Sequence, residues 1–115
     1  MIAVIFEVEP RDGLRQDYLN IAAGLQPVLQ ATEGFISVER FQSLVNPDKI
    51  LSLSFFEDEA AVERWRNTSK HRAAQTRGRS VVFADYRLRV AHVLRDYGMA
   101  ARAEAPTDSR LLHGS

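Results

Sequence analysis

Few of the 115 side chains can move a proton or grip a planar molecule, and those few fall in two stretches. His71 and Gln75 are one helical turn apart and so share a face. Trp65, shortly before them, joins that face where the intervening break is mild. An indole wall, an imidazole and an amide on one surface could hold a planar ligand. The imidazole, with a reference pKa near ~6.5, would act as a base or as an axial ligand. The plainer reading makes Trp65 a core residue and His71 a solvated member of a basic helix. In the second stretch Tyr86, Leu88, Val90 and His92 alternate onto one side of a strand. That side is either the interior of a barrel or a core covered by helices. Tyr86 and His92 could line a cleft there and position a phenolic substrate, or form a buried hydrogen-bonded pair with no catalytic work. Glu7 shares a face with Ala3, Ile5 and Glu9 and is expected in water; as a base inside a barrel it would need a raised pKa.

Other chemistries are excluded by composition. The chain has no cysteine, which removes thiol nucleophiles, thiolate metal sites and a disulfide scaffold. His71, His92 and His113 show no metal-site spacing, and there is no glycine-rich nucleotide loop. Fifteen Lys and Arg balance fifteen Asp and Glu, which gives nucleic acid or anionic lipid no long-range attraction. Arg64, Arg66, Lys70, Arg72, Arg77 and Arg79 form a local basic run that could meet an anionic group, although such runs are commonly solvated helix surface. It lacks an aromatic platform, a recognition helix or a glycine clamp, so nucleic acid is not an expected partner. No apolar run approaches the ~18 residues that span a bilayer. Residues 1–10 lack a basic leader and read as a strand, not a signal peptide. The expectation is a soluble cytoplasmic protein with no membrane partner.

The elements that must position these residues follow from periodicity. Ile2 to Glu9 is apolar on both faces and reads as a central strand ending at Pro10. Leu14, Tyr18, Ile21, Ala22, Leu25, Val28 and Leu29 recur at helical spacing. Pro27 predicts a bend or break at Leu25-Gln26, and Gly34 a left-handed stop. Phe35 to Val45 and Ile50 to Phe56 predict a hairpin across Asn46-Pro47-Asp48-Lys49. Glu57-Asp58-Glu59 opens a second helix, Asn67-Thr68-Ser69 breaks it, and Lys70 to Arg77 forms a third that stops near Gly78. Val81 to Asp96 predicts a long last strand with an irregular turn at Ser80 to Val82.

The order β-α-β-β-α-α-β predicts an α+β fold of the ferredoxin-like split βαβ type, an antiparallel sheet with helices on one face. Residues 1–98 form the domain and residues 99–115 an aperiodic, flexible tail. The sheet face without helices carries apolar groups, and no element is left to cover it. Two sheets packed face to face in a homodimer are the expected solution, with the end of the last strand able to cross to the partner.

Phe35-Ile36-Ser37-Val38-Glu39-Arg40-Phe41, Leu51 to Ala60, Trp65-Arg66-Asn67, His71-Arg72-Ala73-Ala74-Gln75 and Asp85 to Ala91 resemble the antibiotic biosynthesis monooxygenase family. The resemblance covers about residues 2–97. It implies a dimeric α/β barrel with one cleft per subunit between sheet and helices. It also implies a monooxygenase for a small hydrophobic or aromatic substrate, working without a cofactor. An oxygenase with neither metal nor flavin needs an electron-rich phenol or quinol that reduces oxygen itself once deprotonated, in a dry aromatic pocket beside a base. On this reading His71 and Tyr86 are catalytic, and Phe6, Trp65, Gln75 and His92 bind substrate. Other members resemble haem-degrading monooxygenases, a branch with an Asn on the first strand and an iron-ligating His ten residues after a Trp. Trp65 matches that Trp, but Gln75 stands in the place of the His, His71 lies one turn earlier, and Glu7 is the polar residue nearest the Asn position. Haem is thus the cofactor of the alternative reading, its propionates facing the basic run. A third reading is a non-catalytic dimer that binds a small hydrophobic molecule.

Overall fold

The computed structural model describes residues 1–113, so Gly114 and Ser115, the end of the expected tail, lie outside the described residues. The elements run β1 (Ile2–Pro10), α1 (Arg15–Gln30), β2 (Phe35–Gln42), β3 (Ile50–Phe56), α2 (Glu59–Arg66), α3 (Ser69–Arg77), a π-helical turn (Gly78–Val82), β4 (Phe83–His92) and α4 (Thr107–His113). The four strands form one antiparallel sheet in the order β2-β3-β1-β4, with β1 and β3 central. This is the ferredoxin-like arrangement expected from the element order. The described chain contains one such sheet, and it is not closed into a barrel.

Alternation sorts the strands into two faces. Ile2, Val4, Phe6 and Val8 of β1 pair across with Phe56, Ser54, Ser52 and Ile50 of β3, and with His92, Val90, Leu88 and Tyr86 of β4. The helices pack on this side through two separate apolar clusters. Ile2, Leu29, Phe56, Ala61 and Val62 form one, and Val8, Tyr18, Ile50 and Val82 the other. Between them the sheet presents Ser52 and Ser54, side chains too short to meet a helix, and the core is divided there. The opposite face holds Ala3, Ile5, Leu51, Leu53 and Phe55 together with the Glu7–Arg89 ion pair at 3.2 Å.

Three local expectations are corrected. The first helix does not break at Leu25-Gln26; it continues through Pro27 to Gln30. Proline removes one hydrogen bond from the last turns, while Tyr18, Ala22 and Leu29 remain buried on one stripe. The second strand ends at Gln42, not Val45. The Ser43 hydroxyl accepts from the amides of Val45 (3.2 Å) and Asn46 (3.0 Å), which draws the chain into a turn and leaves Leu44 99% and Val45 96% exposed. The last strand ends at His92, and the segment beyond it is not wholly aperiodic, since α4 forms over Thr107–His113. Among the described residues, no helix is long and apolar enough to cross a membrane.

Candidate functional site

The gap between the two apolar clusters is a cavity of about 240 Å³, bounded by the sheet on one side and by α1, α2 and α3 on the other. Trp65 enters it from the last turn of α2, and His71 and Gln75 from α3. Side-chain caps start both helices. Asp58 accepts from the Ala61 amide at 2.8 Å to start α2. Thr68 accepts from the His71 amide at 3.2 Å to start α3. Across the interruption between the two helices Trp65 and His71 come together, with ring centroids 4.7 Å apart.

The chemistry of His71 is set by one hydrogen bond and by burial. Its Nδ1 lies 3.3 Å from the Arg66 carbonyl oxygen, which can only accept. Nδ1 therefore carries the proton and Nε2 the lone pair. Burial lowers the imidazole pKa from its ordinary 6.5, and the positive charges of Arg72 and Arg66 lower it further, against the partial opposition of the Arg66 carbonyl. The result is a neutral ring at neutral pH whose Nε2 can accept a proton.

Aromatic rings form the far wall. Phe6 of β1 lies 5.7 Å from both Phe83 and Tyr86, Phe83 and Tyr86 are 5.8 Å apart, and Tyr18 of α1 meets Phe83 at 6.1 Å. The helices do not extend across β4, so Tyr86, Leu88 and Val90 line the cavity yet stay 40%, 49% and 51% exposed. The cavity opens along that strand.

The structure thus gathers His71, Tyr86, Phe6, Trp65 and Gln75 around one space. It does not bring His92 there. His92 pairs with Ile2 at the other end of β1 and borders an open depression with Glu57, Asp58 and Glu59. Correct face assignment was not enough, because a ten-residue strand is longer than the cavity it borders. Glu7 lies on the face away from the helices, paired with Arg89. Arg40, Ser52 and Ser54 also line the cavity and were not among the expected site residues, while Arg66 and Arg79 bring two members of the basic run to it. A signal existed for the first three: a charge and two hydroxyls at alternating positions that otherwise carry Val38, Ile50 and Phe56.

The chain is a ferredoxin-like α+β domain with a partly aromatic cavity between sheet and helices. Residues 1–77 match the antibiotic biosynthesis monooxygenase family, and the chain belongs to it. A fungal relative from Pyricularia oryzae, named jasmonate monooxygenase ABM, is 48% identical over 93 residues, which are 81% of this chain and 43% of that protein. The chain spans about half the length or less of the curated relatives it matches. Among solved structures, Rv0793 from Mycobacterium tuberculosis superposes with a TM-score of 0.75 at 14% identity, covering 84% of this chain and 98% of the other. SO0527 from Shewanella oneidensis gives 0.74 at 16% identity, over 80% and 89% of the two chains. At such identities these two matches speak for the fold alone. None of these relatives adds support to the haem-degrading alternative.

Proposed function

We propose that this chain is a monooxygenase that takes a small hydrophobic or aromatic substrate into the cavity, with His71 as general base and Tyr86 orienting the substrate. The observation that carries this reading is the state of His71: neutral, with Nδ1 committed to a carbonyl and Nε2 able to accept a proton, on a cavity wall of aromatic rings. Family membership supports the same activity.

A reaction without metal or flavin asks the substrate to supply the electrons. His71 takes the hydroxyl proton of a phenol, and the phenolate passes electrons to O₂. One oxygen atom becomes a new ring carbonyl, the second leaves as water with the two hydrogens the phenol has lost, and the product is a quinone. The chain's own work is deprotonation, orientation and exclusion of water. The fungal relative acts on jasmonate by its name, which makes jasmonate a first compound to test beside simple phenols and quinols.

The dimer belongs to this proposal. The apolar sheet face opposite the helices is the surface on which a second copy would pack, and closing two sheets against each other would complete a barrel. The segment after β4, with Leu94 84% and Met99 99% exposed, is long enough to reach a partner.

Oxygen consumption with a panel of phenols, quinols and jasmonate tests the activity. A substrate that supports uptake should lose most of its turnover in His71→Ala, and Tyr86→Phe should raise KM more than it lowers kcat. Unchanged rates in both variants would remove these residues from the mechanism. Tight binding of the same compounds without oxygen uptake would leave a binding protein in place of an enzyme.

A further inference from the structure

Three arginines line the cavity, Arg40 from β2, Arg66 from α2 and Arg79 from the π-helical turn, and no aspartate or glutamate does. Arg40 is the unusual one. It occupies a position on the helix-facing side of the sheet where the neighbouring Val38 packs against the core. Its Nε is fully enclosed and has no hydrogen-bond partner among the described residues. Nor does any ion pair among them involve Arg40. A guanidinium cannot shed its proton to escape such a place, so an enclosed and unanswered N–H is a standing cost to the fold. Such a cost is retained where something outside the chain answers it.

Resting on the reading of this cavity as the substrate site, we propose that the substrate carries a carboxylate and that Arg40 anchors it. The guanidinium fork matches a carboxylate in two parallel hydrogen bonds. Ser52 stands directly across from Arg40 in the β2–β3 register, with Ser54 next on the same face, so two hydroxyl donors adjoin the charge. Arg66 and Arg79 add positive potential without a competing acid in the lining. The substrate is then an amphiphilic acid: its carboxylate sits against β2, and its apolar body extends towards Phe6, Tyr86 and His71. The reacting end is kept apart from the anchored one, which turns the substrate hydroxyl towards the base.

Calorimetric titration of the full chain at pH 7.5 with 2-naphthoate and with its uncharged methyl ester tests this. The unaltered protein should bind the acid at least about tenfold more tightly than the ester. Arg40→Met should abolish that preference by weakening the acid while leaving the ester unchanged. Because Met fits the apolar surroundings, the variant should melt no lower than the parent. Equal affinity for acid and ester in the unaltered chain would overturn the carboxylate proposal and leave the cavity as a substrate site. Binding of neither compound would overturn the cavity reading and the proposal with it.

Discussion

His71 concentrates the chemistry because three things act on it at once: the Arg66 carbonyl fixes its tautomer, burial keeps it neutral, and Trp65 lies against its ring. Its pKa is lowered mainly by desolvation, so activity that depends on the free base should persist below pH 6.5 and fall only as the ring finally protonates. A pH profile of kcat/KM should show an acid limb below 6.5 that disappears in His71→Gln, whose residual rate is expected about 10²–10⁴-fold lower. Stability follows the same proton. Between 6.5 and the lowered folded value the unfolded chain binds a proton that the folded chain does not. Unfolding free energy should therefore drop as pH falls through that window, and urea melts of His71→Gln should show a shallower drop. The basicity of His71 was not written in its spacing. Spacing to Gln75 placed it on a face; only the neighbouring carbonyl and the covering helices made it a neutral base.

At the scale of the element, two short helices do what one continuous helix could not. A single helix through Trp65 and His71 would turn the two side chains well apart, whereas the break at Asn67 lets the rings meet. Thr68 caps the helix after that break, and Thr68→Ala should cost about 1 kcal/mol in chemical denaturation. Since its hydroxyl holds the His71 amide, the same change should lower kcat more than a neutral surface substitution of similar stability. Gly34 plays the corresponding part where α1 turns into β2. Its φ is +88°, and a Cβ there would lie 2.6 Å from the Ala61 Cβ of α2. Gly34→Ala should therefore destabilise by about 1–3 kcal/mol, readable as a lower denaturation midpoint with an unchanged slope. The left-handed stop at Gly34 and a break at Asn67-Thr68-Ser69 were legible beforehand, but the cap that Thr68 places on the following helix was not. Nor was continuity through Pro27, because packing of the flanking turns outweighs the hydrogen bond that proline forfeits.

The whole molecule is more extended than its length requires. Its radius of gyration is 16.5 Å, against roughly 13 Å for a compact domain of this size. Residues after β4 contribute exposed apolar side chains, Leu111 at 82% and Leu112 at 79% among them. On the proposed dimer, light scattering should give twice the chain mass. Leu53→Glu, in the middle of the sheet face opposite the helices, should return a monomer whose β4 side of the cavity binds hydrophobic acids more weakly. A monomer in the unaltered chain at micromolar concentration would count against the barrel.

Alternation and helical period by themselves determined the order of elements and which strand residues share a face, because those features depend on neighbours two to four residues away. The tertiary structure decided what those sides enclose. It put His92 beyond the end of the cavity and left Arg40 without a counter-charge among the described residues. Whether a polar atom is answered depends on groups from distant parts of the chain, and pattern along the sequence carries no record of their absence.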